Sequence, residues 1–253
     1  MEYDAADNSR QCYEVGIEAL RQRLEASKVT IGNCTLYRED CAFVLPTIPK
    51  RYSICSDPPY GIGFEKGDSG RGVGARRNSG KILGDDKPFD PAPLLEFDEV
   101  LLFGANHYAA RLPEGAWHVW DKLQGVPSFD SFSDAELIWL KGKPTATRIV
   151  SHLWKGVLKA SEKDAVKVHV SQKPVAVMAW CLRLLKGQTI VDPYMGSGST
   201  GVACVKLGRE FIGIEKDEKH FATACRRIEE AQQQGDFFSA GAAAQKPEQM
   251  SLA

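Results

Sequence analysis

The fold is decided by the stretch Thr189–Gly201, which reads TIVDPYMGSGSTG. Its first three residues are β-branched, as in a buried strand, and residues 200–207 are expected to form a helix. Glycines between the two elements let the backbone pass close to a ligand, and the N-terminus of the helix offers free N–H groups. The stretch therefore predicts a strand–turn–helix unit of an α/β sheet with a ligand site at the turn.

An acidic residue follows at the end of the next predicted strand. Residues 211–215 close with Glu215, about twenty residues after the turn, where a carboxylate can accept from both hydroxyls of a ribose. A nucleoside-containing cofactor is therefore expected. No Lys-Ser or Lys-Thr pair follows the glycines, so this is not a Walker A loop, and without the full G-x-G-x-x-G a hydride carrier is less favoured. A tight turn beside a surface glutamate is the alternative.

A second motif, Asp57-Pro58-Pro59-Tyr60, closes the apolar-leaning run of residues 52–56. Each proline fixes φ and removes an N–H group, which leaves the local carbonyls with few backbone partners. A carboxylate, one or two carbonyl oxygens and an aromatic face are thus held close together. This set suits a planar amino-heterocycle, since it supplies acceptors for the amino hydrogens and a ring for stacking. A capped Pro-Pro turn after a strand is the alternative for the tetrapeptide alone.

The remaining pattern predicts an α/β domain over residues 1–234. Residues 1–28 are expected to be helical, residues 123–168 to form a small inserted lobe, and residues 235–253 to form a loose tail. Further helices are predicted at 42–45, 174–185 and 217–233. Strands are predicted at 35–37, 52–56, 100–104, 117–120, 189–191 and 211–215.

Composition limits the compartment and the partners. The chain has 253 residues, 43% of them hydrophobic, and a formal net charge of -1, so binding to nucleic acid would require a local basic face. Its 7 cysteines are scattered without a C-x-x-C pair, which favours a reducing compartment over a disulfide framework or zinc site. No signal peptide or long apolar run is present. A cytoplasmic protein without a membrane segment is expected.

In chain order, these segments resemble the DNA amino-methyltransferases that use S-adenosylmethionine. Asp57–Tyr60 matches the catalytic motif [DNS]-P-P-[YFW], and Asp192–Thr200 matches D-P-F-x-G-S-G-T-T with Tyr194 and Ser199 as replacements. The catalytic motif comes first, an order similar to that of the permuted β class, which includes many phage and prophage enzymes. The likeness covers most of the chain and implies a Rossmann-like methyltransferase fold, with a mostly parallel twisted sheet flanked by helices.

The resemblance also implies a set of cofactor-binding residues. Glu215 matches the acid that binds the ribose, and Asp40 matches a position near the adenine ring of the cofactor. The H-P-T-Q-K-P element, which helps to hold the methionine part, is present as residues 169–174 with Val170 in place of the first proline. The residues expected to bind S-adenosylmethionine are Asp40, Ser171, Gln172, Lys173, Asp192, Gly196, Gly198, Ser199, Thr200 and Glu215.

The catalytic motif indicates how the reaction would proceed. Asp57 and the carbonyl of Pro58 are expected to accept the two amino hydrogens of the target base, Pro59 to stiffen the turn, and Tyr60 to stack on the base. The nitrogen lone pair then points at the methyl of a sulfonium, and positioning assists a direct displacement. Neither a metal nor a cysteine nucleophile is expected. Asp before the prolines usually accompanies adenine in this family, so N6-adenine is expected, with N4-cytosine as the alternative.

Double-stranded DNA is the expected partner. A base within a duplex must be flipped out at a cost of roughly a few kcal/mol, which phosphate contacts must offset. Two basic regions are expected to face the DNA, and the lobe at 123–168 is expected to read a short recognition sequence. The predicted DNA-binding residues are Lys66, Arg71, Arg76, Arg77, Lys81, Lys141, Lys143 and Arg148. The resemblance leaves room for a homodimer and for a cognate restriction endonuclease.

Three other functions remain open on sequence grounds. An RNA or protein-glutamine methyltransferase could use a similar Asn/Asp-Pro-Pro-Tyr turn, but those families place the glycine motif first. A non-catalytic nucleic-acid-binding partner subunit would bind the cofactor without transferring its methyl group. A Rossmann-type oxidoreductase would leave Asp57–Tyr60 unexplained.

Overall fold

The computed structural model describes residues 5–63, 84–127, 133–155, 158–162 and 172–244. Its strands are β1 Lys28–Ile31, β2 Cys34–Tyr37, β3 Ser53–Ser56, β4 Glu99–Phe103, β5 Gly115–Asp121, β6 Ala135–Lys141, β7 Ile149–Ser151, β8 Trp154–Lys155, β9 Leu158–Lys159, β10 Thr189–Asp192 and β11 Glu210–Ile214. Its helices are α1 Ala5–Ala26, α2 Cys41–Val44, α3 Ala92–Leu95, α4 Val175–Leu184, α5 Ser199–Lys206 and α6 Glu218–Ala244, with 3₁₀ segments at Leu45–Thr47 and Ala105–Arg111.

Within the described ranges, nine strands form one sheet in the order β1-β2-β11-β10-β3-β4-β6-β5-β7. The strands from β2 to β4 in this order all run parallel to one another. β1 is antiparallel to β2, β6 is antiparallel to both of its neighbours, and β7 is parallel to β5. The hairpin β8–β9 forms a separate two-stranded sheet. The predicted mostly parallel sheet, flanked by helices, is confirmed.

Both faces of the sheet are covered by helices, as β4 illustrates. Leu101 and Phe103 pack into a core with α4, α5 and α6, whereas Val100 and Leu102 pack into a second core with α1, α2 and α3. All four side chains are fully buried. A strand that is buried on both faces is apolar throughout, which explains the continuous apolar run at this position in the sequence.

The direction of winding reverses between β10 and β3. From β10 the chain passes through α5 to β11 on one side, and from β3 it passes through α3 to β4 on the other side. β10 and β3 are themselves neighbours, with Val191 paired with Ile54. Ligands of open α/β sheets bind in the crevice at the carboxyl ends of the strands at such a switch point. The two motifs singled out from the sequence, at 57–60 and 192–200, both begin there.

Most predicted elements are confirmed, but the boundary of the lobe is wrong. Residues 135–141 form β6, which lies inside the main sheet between β4 and β5, and residues 149–151 form β7 at its edge. No strand is assigned here on sequence grounds because β6 lacks strict alternation: two buried residues, Ile138 and Trp139, follow each other directly. The residues predicted to form a lobe therefore build part of the core sheet.

The C-terminal helix is longer than the sequence pattern indicated. α6 runs from Glu218 to Ala244, so the predicted loose tail from residue 235 is wrong for residues 235–244. Ala231 is buried in the core, and the Ala- and Gln-rich composition of the turns that follow favours a helix through intrinsic propensity. Residues 245–253 lie outside the described ranges.

Two general properties of the described residues bear on function. No helix that they form is both long and apolar enough to cross a membrane. The six cysteines whose side chains the structure describes are free: Cys34, Cys41, Cys55, Cys181, Cys204 and Cys225. Burial raises the pKa of every one of these thiols, to about 11 for Cys34. Such thiols are poor nucleophiles at neutral pH.

Candidate active site

Asp192, at the end of β10, connects the two motifs through hydrogen bonds. Its Oδ1 accepts hydrogen bonds from Ser56 Oγ at 2.6 Å and from the backbone N–H of Tyr194 at 3.1 Å. Its Oδ2 accepts from Thr200 Oγ1 at 2.5 Å. Burial raises the pKa of Asp192 to about 6, and these hydrogen bonds oppose the rise. Asp192 and Thr200, both predicted to bind the cofactor, thus support the glycine turn through buried contacts within the protein.

Glu215 lies beside the glycine turn, as the sequence predicted. Its Oε2 accepts from the backbone N–H of Gly196 at 3.0 Å, and its Oε1 accepts from the backbone N–H of Asp217 at 2.8 Å. Burial raises the pKa of this carboxyl, and the two hydrogen bonds oppose that shift. The carboxylate is therefore held at the carboxyl end of β11, next to the turn that follows β10.

Both glycines of the turn have a backbone conformation that favours glycine, and Gly198 is also packed closely against α6. Gly196 and Gly198 both have positive φ, 50° and 79°. A Cβ on Gly198 would lie 2.9 Å from the Cβ of Ala224 on α6. Close packing against α6 therefore requires a glycine at 198, in addition to the approach of a ligand on which the sequence argument rested.

Arg227, on α6, also holds the glycine turn through hydrogen bonds. Its guanidinium donates to the carbonyl of Ser197 at 2.6 Å and to Ser199 Oγ at 3.2 Å, and its other terminal nitrogen donates to Glu162 Oε1 at 3.0 Å. Glu162 Oε2 in turn accepts from the backbone N–H of Val175, the first residue of α4, at 3.2 Å. Sequence reasoning missed Arg227 and Glu162, because no local pattern marks an arginine that acts 30 residues away.

Asp40 lies at the same edge of the sheet, after β2. Its Oδ1 caps α2 by accepting from the backbone N–H of Ala42 at 3.0 Å, and its Oδ2 lies 3.7 Å from the ammonium of Lys216. Lys216 directly follows Glu215, so the two predicted acidic residues flank one crevice. Asp40 keeps 44% of its side chain exposed, which leaves it accessible to a ligand.

Asp57 is held by two donors. Its Oδ1 accepts from the hydroxyl of Tyr60 at 2.5 Å, and its Oδ2 accepts from the ammonium of Lys173 at 2.6 Å. Burial raises the pKa of Asp57, although the charge of Lys173 opposes the rise. Burial also disfavours the charged form of Lys173, but the carboxylates of Asp57 and Glu136 together raise its pKa above the usual value. The catalytic motif and the predicted cofactor element therefore meet in one ion pair.

The aromatic ring of Tyr60 is packed between backbone and a histidine. A Cβ on Gly104, where φ is 60°, would lie 2.1 Å from Tyr60 Cε1, so only glycine fits there. The ring of His107 stacks on Tyr60, with centroids 5.1 Å apart and an interplanar angle of 17°. Burial raises the pKa of Tyr60, which keeps its hydroxyl protonated as a donor to Asp57.

Two further charged residues extend this arrangement. Glu136, near the start of β6, lies 3.2 Å from the ammonium of Lys173 through Oε2 and 3.4 Å from that of Lys122 through Oε1. Burial would raise the pKa of Glu136, but Lys173 and Lys122 hold it below its usual value. Neither Glu136 nor Lys122 was predicted as a site residue, since β6 itself was not recognised.

The loop after the catalytic motif is anchored by Asp85, a residue that the sequence argument did not select. Asp85 Oδ1 accepts from the backbone N–H of Gly61 at 2.7 Å and of Ile62 at 3.3 Å. A Cβ on Gly61 would lie 2.3 Å from the carbonyl oxygen of Lys87. The chain therefore turns sharply away from the motif directly after Tyr60.

The remaining predicted residues divide by location. Gln172 is buried next to Lys173, and its Oε1 has no hydrogen-bond partner among the described residues. Lys141 donates to the carbonyls of Leu95 and Phe97 at 2.8 and 2.6 Å, while the exposed Lys143 and Arg148 line a cleft at the opposite edge of the sheet. Their contact with DNA stays a prediction. Lys66, Arg71, Arg76, Arg77, Lys81 and Ser171 lie outside the described residues.

The doubly wound sheet is Rossmann-like, and it carries an acidic Pro-Pro-Tyr turn and a glycine turn side by side at its switch point. The model of the DNA methylase family N6_N4_Mtase matches residues 115–226. Over these residues, which are less than half of its length, the chain is similar to the DNA amino-methyltransferases.

Two curated relatives share part of the sequence. The Type II methyltransferase M2.LlaDCHI of Lactococcus lactis subsp. cremoris is 40% identical over 82 residues, which cover 30% of this chain and 29% of the relative. The Type II methyltransferase M2.DpnII of Streptococcus pneumoniae is 40% identical over 80 residues, which cover 30% of each chain. The alignments therefore span less than a third of these relatives.

A solved structure supports the fold independently. The PvuII DNA methyltransferase, described as cytosine-N4-specific, superposes with a TM-score of 0.50 and 13% identity, covering 79% of this chain and 87% of that one. At this level of identity the likeness concerns the fold.

Proposed function

We propose that the protein transfers a methyl group from S-adenosylmethionine to the exocyclic N6 of an adenine flipped out of duplex DNA. The observation that carries this proposal is the hydrogen bond of 2.6 Å from Ser56 to Asp192, which fixes the end of β3 against the end of β10. An amine-binding turn and a nucleoside-binding turn are thereby adjacent. Two reactants held in this way need little beyond alignment to react.

The residues around the glycine turn fit the cofactor. Glu215 is anchored by two backbone N–H groups at the edge of the turn and can still accept from ribose hydroxyls through its remaining lone pairs. Asp40 lies across the crevice, and the buried Oε1 of Gln172 has no partner among the residues described. Gln172 and Lys173 would adjoin the methionine part. Bound S-adenosylmethionine supplies an electrophilic methyl group.

Asp57 would act as the main acceptor for the target amine. The carboxylate and the Pro58 carbonyl accept the two amino hydrogens, which localises the nitrogen lone pair. The lone pair forms the new N–C bond while the S–C bond breaks, and the electrons of that bond remain on sulfur. The methylated nitrogen then loses one proton, which passes to Asp57 and from there to water. Positioned dipoles in a site with little water make this arrangement effective.

Both oxygens of Asp57 already have donors, namely Tyr60 and Lys173. An incoming amine must therefore share one of these oxygens with the donor already there, or replace that donor. The ring of Tyr60 also carries His107 on it, so a stacked base would displace this imidazole or lie beside it. Docking of the base is thus expected to move Lys173 or Tyr60 around this carboxylate, and to move His107 if the base stacks on the same face of Tyr60.

The assignment to adenine rests on Asp57, since Asp at this position accompanies adenine in the family that the sequence resembles. DNA would be held through the basic residues of 66–81, because Lys143 and Arg148 lie at the edge of the sheet opposite Asp57. A homodimer and a restriction endonuclease partner stay predictions.

Incubation with methyl-tritiated cofactor and mixed-sequence duplex DNA, followed by mass spectrometry of the nucleosides, tests the proposal. N6-methyladenine is the expected product. N4-methylcytosine would retain the mechanism and overturn the choice of base. Cofactor binding without any label in DNA would overturn the proposed function and favour an RNA or protein substrate, or a non-catalytic partner subunit.

A further inference from the structure

Lys173, the partner of Asp57, is shared between two carboxylates. Its ammonium lies 2.6 Å from Asp57 Oδ2 and 3.2 Å from Glu136 Oε2, and only 9% of its side chain is exposed. Glu136 is half-buried and pairs in turn with Lys122 at 3.4 Å. Lys122, Glu136, Lys173 and Asp57 thus alternate in charge, and we call this set the charge chain.

The charge chain joins parts of the fold that are remote in sequence. Lys122 follows β5, Glu136 belongs to β6, Lys173 precedes α4, and Asp57 follows β3. The charges of its two carboxylates and two ammonium groups formally cancel. Removing one member would therefore leave a partly buried charge without compensation, which is costly in a protein interior.

The arrangement addresses a difficulty in the proposed reaction. Asp57 must accept an amino hydrogen, yet the ammonium of Lys173 at Oδ2 and the hydroxyl of Tyr60 at Oδ1 compete with the amine for its lone pairs. If Lys173 leaves Oδ2, its buried ammonium needs another counterion. Glu136 offers one at 3.2 Å, so a small rotation of the lysine side chain transfers the ion pair without exposing either charge to solvent.

We propose that Glu136 is a positioning residue that takes over the ammonium of Lys173 when the target base docks, and so frees Asp57 Oδ2 for the amine. This inference rests on the proposed function, because it concerns the same carboxylate. Glu136 itself touches neither base nor cofactor. Lys122 holds Glu136 in place from the other side.

Glu136→Gln tests the inference through activity. Without the second carboxylate, Lys173 remains on Asp57, and kcat is expected to fall roughly ten- to a hundredfold, the scale of a misplaced reacting group. The KM for the cofactor is expected to stay unchanged. Unchanged kcat in Glu136→Gln would overturn the inference.

The pH profile separates positioning from a structural role. The titratable groups acting on Asp57 within the described residues are Lys173, Glu136, Tyr60, Asp192 and Tyr108. The charge of Glu136 raises the pKa of Asp57, so its removal should lower that pKa and move the acidic limb of kcat to lower pH. A limb that stays in place would contradict the inference.

Two controls sharpen the comparison. Glu230→Gln makes the same chemical change in an exposed ion pair with Arg226 on α6 and should leave both kcat and the pH profile unchanged. In Lys173→Met, the further change Glu136→Gln should have no additional effect, because Glu136 acts through the lysine. Additive losses in that double variant would argue for a general structural effect instead.

One readout does not depend on methyl transfer. Titration of ¹³C-carboxyl aspartate by NMR gives the pKa of Asp57 in the wild-type protein and in Glu136→Gln. A lower value in the variant is expected, and equal values would overturn the inference even if the wild-type protein modified no DNA. An inactive wild type with the expected shift would instead refute the proposed function alone.

Discussion

Ser56 Oγ and Asp192 Oδ1 are joined by a buried hydrogen bond of 2.6 Å between two neighbouring parallel strands. The residue after Ser56 is Asp57, the proposed acceptor of the target amine, and the residues after Asp192 form the glycine turn. One contact therefore sets the spacing of the two reactants in the proposed reaction. Changes on either side of it should be felt in catalysis or in cofactor binding, but seldom in both.

Replacement of the proposed acceptor should separate chemistry from cofactor binding. Asp57→Ala removes the carboxylate that meets the amine, and transfer should fall by roughly a hundredfold or more, as for a lost acid–base group. Cofactor affinity measured by calorimetry should change little, because Asp57 lies in the other motif. Asp57→Asn provides the matched control of similar size. Activity like that of the wild type in Asp57→Ala would refute the mechanism.

The glycine turn should respond in the opposite way. Gly196→Asp places a charged side chain at a residue with a φ of 50°, whose N–H group donates to Glu215. Cofactor binding should be lost through strain and like-charge repulsion. Calorimetric titration with the cofactor measures this directly, with Gly63→Asp as a control at another positive-φ glycine that faces open space. Retained affinity in Gly196→Asp would place the cofactor elsewhere.

Asp192 should make stability depend on pH. Burial raises its pKa to about 6 in the folded protein, from an ordinary value of 3.8. The folded state therefore binds this proton more tightly, and the contribution is complete below the unfolded value and is lost as pH rises through about 6. At about 1.4 kcal/mol per pKa unit, the loss amounts to roughly 3 kcal/mol.

Urea unfolding of Asp192→Asn across this range measures the contribution. The neutral amide cannot ionise, so its free energy of unfolding should vary less than that of the wild type between about pH 4 and about pH 7. Two parallel curves would show that Asp192 does not titrate in the way its burial indicates.

Two adjacent arginines on α6 provide a paired test of the hydrogen bonds that hold the glycine turn. Arg227→Ala removes the donor to Ser197 and leaves Glu162 without its partner, which should destabilise the protein by roughly 1–3 kcal/mol and weaken cofactor binding. Arg226→Ala breaks an exposed ion pair with Glu230 and should cost less than about 1 kcal/mol. Thermal unfolding and calorimetry of both variants provide the comparison. Equal losses in the two variants would leave Arg227 without a special role.

The sequence predicted those parts of the site that are local. Asp57–Tyr60 and the turn at 192–200 are each contiguous, and Glu215 follows at a fixed distance along the next strand. The structure brings them together because parallel strands end at the same edge. These positions could be inferred because each motif carries its own backbone chemistry in prolines or glycines.

The parts that could not be predicted depend on pairing between distant elements. β6 has no strict alternation, and its place between β4 and β5 follows from contacts with both of them. Without β6, neither Glu136 nor its approach to Lys173 can be foreseen. The role of Arg227 could not be predicted for the same reason, since its partners Ser197 and Glu162 lie in other parts of the sequence.

β6 is antiparallel to β4 and β5, so its first residues lie at the edge of the sheet where those two strands end. Glu136 therefore reaches the catalytic edge from the beginning of a strand, directly after the connection from β5. An insertion in that connection which slipped β6 by one residue would turn Glu136 to the other face of the sheet. Insertions at 142–148, beyond the far end of β6, would leave the carboxylate in register. Changes of length at 142–148 should accordingly be tolerated, whereas those between β5 and β6 should be restricted where they shift the register of β6.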